Sequence, residues 1–176
     1  MAVSPSIDAP APAPLSRLVR AWLLTAVSDG LWACVLAVAY GSSVTRLWQG
    51  VASTVLGPSA MEGGAATVAV GVALHFGVAL GWSAVFLLLY NRSAALRRAA
   101  DSPGSATGVA MVYGPLIWIV MSLAVIPLLT HKPPTVTYRW FIQLAGHAVF
   151  VGQPIVHSIR TRAAARLARG ATPAAA

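Results

Sequence analysis

Residues 65–90 read AATVAVGVALHFGVALGWSAVFLLLY, a stretch that contains no Asp, Glu, Lys or Arg. A helix of about twenty apolar residues crosses the ~30 Å hydrocarbon layer of a membrane, and this run exceeds that length. Gly63 and Gly64 precede it and Asn91 and Arg92 follow it, so it predicts one helix that spans a bilayer. The pattern recurs at residues 21–40, 106–129 and 140–159. The fold class that follows is an all-α membrane protein, a bundle of four transmembrane helices.

Composition points the same way. Of 176 residues, 57% are hydrophobic and 9% charged, whereas soluble domains carry roughly a quarter charged residues. A net charge of +8 would suggest nucleic acid in a soluble protein. Here the basic residues flank apolar runs, where they orient helices, so the expected partner is the lipid bilayer and not nucleic acid. Cys34 is the only cysteine, which excludes an intrachain disulfide and a Cys metal cluster. There is no P-loop, GxSxG or HExxH motif. Asp8 and Asp101 lie outside the spans and Glu62 is alone in a loop, so enzymatic function is disfavoured.

Arg17, Arg20, Arg92, Arg97, Arg98, Arg160, Arg162, Arg166 and Arg169 fall on one side of the four spans, and Arg46, Lys132 and Arg139 on the other. This nine-to-three asymmetry alternates across every loop. By the positive-inside rule it places both termini in the cytoplasm of a cell with a bacterial inner membrane. Residues 1–16, rich in Ala, Pro and Ser, read as a disordered tail. Residues 17–162 form the transmembrane domain, and residues 163–176 a basic, Ala-rich cytoplasmic tail. Ala37-Val38-Ala39 resembles a signal-peptide cleavage site. The run around it is longer than a signal core and carries Asp29 in its middle, so it reads as an uncleaved span.

The first outer loop, 41–64, places Val44, Leu47, Trp48, Val51 and Val55 at helical spacing, with Arg46, Gln49 and Ser53 opposite. This predicts a helix lying in the outer interface, ended by Gly57-Pro58. In the second outer loop His131-Lys132-Pro133-Pro134 reads as a stiff turn. A homo-oligomer or a partner membrane subunit is compatible with such a bundle, and the sequence names neither.

Ionisable groups are costly inside a bilayer, which makes Asp29, His75 and His147 the candidate site. At about 1.5 Å per residue they lie about 12, 22 and 18 Å from the inner ends of their helices, so the histidines share a level near mid-membrane. On the fourth span Gln143, His147, Pro154 and His157, with Gln153 at the margin, fall on one polar stripe. On the second span His75 shares a face with Gly71, while Ala73, Gly77 and Gly81 form a small-residue strip on the other side, expected to pack closely. Pro115, Pro127 and Pro154 are expected to kink their helices. Three readings fit the polar groups: interhelical hydrogen bonds that fix bundle register, a protonatable relay through His147, Asp29 and His157 serving transport or pH sensing, and a b-type haem held by His75 and His147 with Gly71 making room.

Residues 105–150 read SATGVAMVYGPLIWIVMSLAVIPLLTHKPPTVTYRWFIQLAGHAVF. Gly108, Pro127-Leu128, Pro133-Pro134 and Gly146-His147 resemble a Gly helix, a Pro-Leu exit, a Pro-Pro loop and a Gly-His helix of the YagU-like bacterial inner-membrane proteins. His75 is similar to another histidine of that family. The first span departs from it, with Asp29 inside the helix and a Trp-Gln-Gly segment after it. The resemblance implies an inner-membrane helical bundle and no specific activity.

Overall fold

The computed structural model describes residues 13–161; the expected tails up to residue 12 and from residue 163 lie outside the described residues. Within them the chain is helical, with no strand. Helix α1 runs Pro14–Ala39. It starts earlier than expected, because proline suits the first helical turn, where an amide N–H would have no partner, so residues 14–16 belong to the helix and not to the tail. Helix α2 spans Val44–Leu56. Ser43 Oγ accepts from the Arg46 amide at its start (3.1 Å), and Gly57, at φ 82°, ends it. A short 3-10 turn, Pro58–Glu62, leads into α3, Gly64–Arg92.

A six-residue helix α4, Ala94–Ala99, follows. Helix α5, Pro103–Val120, opens with a capping box in which Ser102 and Ser105 each accept from the other's amide. It continues through a π-helical turn, Met121–Val125, into α6, Ile126–Thr130. The last hairpin arm is α7, Tyr138–His147, a second π turn, Ala148–Gly152, and α8, Gln153–Ile159.

Both π turns lie just ahead of a proline, which has no N–H and whose ring crowds the carbonyl four residues back. Widening the helix absorbs that crowding. At Pro154 the carbonyl four residues back is that of Phe150, and the one proton of Ser28 Oγ on α1 is shared between it (2.7 Å) and the Leu24 carbonyl of its own helix (2.6 Å). A neighbouring helix thus repairs the backbone where no water is available.

Among the described residues three helices are long and apolar enough to cross a membrane: α1, α3 and the continuous helix Pro103–Thr130. Their outer faces carry long apolar side chains, among them Leu31, Val35, Leu88 and Val112. At one end of the bundle Arg17 Nη1 donates to the Ile159 carbonyl (2.8 Å), and the Thr161 amide donates to Tyr90 Oη (3.2 Å). The core is densest towards this end, around Phe86, Tyr90, Ile117 and Ile155. At the other end Arg139 stacks over the Tyr40 ring (4.2 Å), and α2 packs against α3, α1 and α6.

Glycines set which faces meet. A Cβ on Gly71 would overlap the Trp48 carbonyl, one on Gly114 the His147 carbonyl, and one on Gly152 the Ala110 carbonyl. These three positions let α2 approach α3, and the last helical arm approach α5, backbone to backbone. The Ala73, Gly77 and Gly81 strip does not do this. All three residues are exposed, and the two glycines have no atom within 4 Å of a built Cβ. The close packing on α3 is instead on the Gly71 and His75 face.

Candidate functional site

Helix α1 receives His75 directly and reaches Gly146, the neighbour of His147, through Trp32. His75, on α3, points its ring at α1, where Nε2–H donates to the Ala26 carbonyl (2.9 Å). Gly30 faces the same ring, and a Cβ there would sit 3.4 Å from the His75 Nε2, an ordinary contact. Trp48 of α2 closes over the other side of the imidazole, edge to face at 5.2 Å, and Phe76 lies at 6.0 Å. The ring is held by three helices.

His147 is buried at the end of α7. Its Nδ1–H donates to the Gln143 carbonyl one turn back (2.9 Å), which in the neutral ring leaves Nε2 as an acceptor. The imidazole packs on Trp118 of α5 at 4.8 Å. Trp118 is fixed in turn: its Nε1–H donates to the Trp140 carbonyl (3.1 Å), while Trp140 Nε1–H donates to Ser122 Oγ (2.9 Å). Such second contacts hold a ring in one orientation.

Asp29 is half-buried on α1, one turn from Trp32. Asp29 lies one turn after Ala26, where His75 meets α1, and one turn before Trp32, which fills the space at Gly146 beside His147, so the three ionisable groups border one stretch of α1. Trp32 stacks on Phe150 at 4.9 Å, and its Nε1 occupies the place that a side chain on Gly146 would take. That indole N–H and Gln143 Oε1, one turn from Gly146, are both buried without a hydrogen-bond partner among the described residues. A buried polar atom left unpaired costs about 1–3 kcal/mol.

Of the expected site residues, Asp29, His75 and His147 thus border the same stretch of α1, with Gln143 one turn from His147. The structure places His157 elsewhere. The His157 Nε2 pairs with Thr107 Oγ1 of α5 (3.3 Å), and the charge that bears on it is Arg160. The polar stripe expected along the fourth span breaks at the Ala148–Gly152 π turn, which changes the helical phase between His147 and His157. Trp32, Trp48, Trp118 and Gly30 were not among the expected site residues. A signal for two of them was present, since Trp32 and Trp118 sit in mid-span and not in the interfacial belts where tryptophan concentrates.

A haem between His75 and His147 would need a free nitrogen on each ring and a slot for the macrocycle. His147 Nε2 meets the first need. At His75, Nε2 is engaged by α1, and the space expected beside Gly71 is filled by the Trp48 backbone.

Fold and site together define a helical bundle of membrane type with a polar cluster on its interior faces. Comparison with known protein families, curated proteins and solved structures finds no match for this chain.

Proposed function

We propose that this is a multipass inner-membrane protein with four crossings and both termini in the cytoplasm, whose mid-membrane cluster of Asp29, His75 and His147 is the protonatable centre of a proton-linked transport or sensing function. The observation that carries the proposal is that His75 and the Gly146-His147 backbone meet α1 one turn to either side of Asp29, next to two unpaired buried polar atoms, Trp32 Nε1 and Gln143 Oε1. A purely structural cluster would be expected to satisfy its own members. Support for the fourth crossing comes from the uninterrupted helical run 138–159, about 30 Å long at helical rise. Orientation rests on the nine-to-three distribution of basic residues. The α2 helix buries Trp48, Gln49 and Ala52 and exposes Arg46, which suits a helix lying at the outer interface. The resemblance of residues 105–150 to the YagU-like proteins agrees with this placement, and its Gly146-His147 pair falls on the cluster.

Tryptophan emission tests the proposal, because Trp118 lies on the His147 ring and reports its charge. In reconstituted protein the emission should titrate between pH 5 and 8, where histidine changes charge. Trp118→Phe should remove most of that change and Asp29→Asn should displace it. Identical curves for wild type, Asp29→Asn and His147→Gln would overturn the assignment.

A further inference from the structure

Helices α3 and α5 diverge below α4 and leave a groove of about 390 Å³ between them. Phe86 and Leu89 of α3, Leu96 of α4, and Gly108, Val112 and Leu116 of α5 line it. Tyr113 bridges the gap with its ring 4.8 Å from Phe86 and its hydroxyl turned away to donate to the Trp82 carbonyl (2.9 Å). The groove therefore presents only apolar surface, although it is large enough for a small-molecule ligand.

The part of the groove next to α4 adjoins basic residues. Arg92 follows Leu89 by three residues and so shares its face of α3, and Arg97 and Arg98 follow Leu96 directly on α4. Arg92 and Arg98 are exposed. Arg97 Nη1 donates to the Tyr90 and Asn91 carbonyls at the end of α3 (3.1 and 2.7 Å), which anchors a third guanidinium beside the groove. The one acid at this end among the described residues is Asp101, whose Oδ1 accepts from Ser105 Oγ (3.3 Å).

We propose that this groove binds one anionic phospholipid, an acyl chain lying between Leu89, Gly108 and Leu116 and the phosphate resting on Arg92, Arg97 and Arg98. An acyl chain matches a wall without hydrogen-bonding groups, and a cationic rim at its end selects an anionic headgroup over a zwitterionic one. The proposal rests on the membrane placement of α3 and α5 and not on the polar cluster or the orientation of the chain.

The full chain in nanodiscs of phosphatidylcholine doped with phosphatidylglycerol provides the test, with retained lipid counted by native mass spectrometry. Wild type should keep one phosphatidylglycerol in preference to phosphatidylcholine. Arg92→Gln with Arg98→Gln should keep a lipid but lose most of the preference, at about fivefold for each arginine removed. Gly108→Leu with Val112→Trp fills the groove from positions that face open space or are exposed, and should lose both lipids. Equal retention of the two lipids by wild type, or undiminished retention by the filled variant, would overturn the proposal. Failure to enter nanodiscs at all would instead refute the membrane reading on which it rests.

Discussion

The indole nitrogen of Trp32 takes the place of the side chain that Gly146 lacks, so α1 and α7 meet there through a tryptophan laid on bare backbone. Adding one methyl group must displace the indole and its stack with Phe150. Gly146→Ala is expected to destabilise the protein by about 1–3 kcal/mol, as overpacking of a filled site does. Thermal unfolding in detergent measures it. Gly77→Ala, at a position with open space around it, should leave the midpoint unchanged. Equal behaviour of the two variants would contradict the packing described.

Trp32→Phe probes the unpaired N–H at the same contact. The substitution keeps an aromatic ring against Phe150 and removes only the indole portion with its donor. If nothing accepts from Nε1, removing the donor relieves a cost of about 1–3 kcal/mol, offset in part by the smaller ring, and stability should hold or rise. If the cluster holds a water or ion that accepts from it, stability should fall and the pH response of tryptophan emission should change with it. The second outcome is the one that the proposed protonatable centre requires.

Much of the scaffold is legible in the sequence, for a clear physical reason. The hydrocarbon layer sets a minimum length, so the runs around His75, Asp29 and Pro115 declare their helices without any knowledge of packing. The Val44–Leu56 helix and its stop at Gly57-Pro58 are equally readable, since both depend on local chemistry. Facing is harder to read. A helix apolar on every side gives no amphipathic signal, because lipid and protein interior are alike in polarity, so whether Gly71 or Gly77 is the contact glycine cannot follow from periodicity. The π turn at Ala148–Gly152 likewise depends on Pro154 and on Ser28 of another helix. That turn is what parts His157 from the cluster that the stripe had joined it to.

His75 is held by one hydrogen bond and two aromatic contacts, and these can be separated. His75→Phe should retain the packing with Trp48 and lose the bond to Ala26, at a cost near the ~0.6 kcal/mol typical of interhelical hydrogen bonds in membranes. His75→Ala should cost several times more, because it also opens a cavity beneath Trp48. Unfolding midpoints in detergent compare the two, and equal losses would mean that the bond, not the packing, dominates.

The engagement of His75 also bears on pigment. A haem would require its ring to leave Ala26 and the Trp48 backbone to lift from Gly71, two changes with nothing in the cluster to drive them. Protein purified with haem supplied during expression is expected to be colourless. A Soret band lost in His147→Ala would show that the two changes occur.

Arg17 joins the first helix to the last. Its guanidinium is buried against the final carbonyl of α8, where a positive charge offsets both the unpaired acceptor and the negative end of the helix dipole. Arg17→Gln should cost about 1.5–3 kcal/mol, the usual worth of a hydrogen bond to a charged group. Arg20→Gln removes the same charge from an exposed position on the same helix and should cost little. If both variants unfold alike, the contribution of Arg17 is general charge at that membrane face and not the contact with Ile159. If only Arg17→Gln is weakened, and hydrogen exchange rises at the end of α8 while α5 stays protected, the bond to Ile159 is what secures the end of α8 against α1.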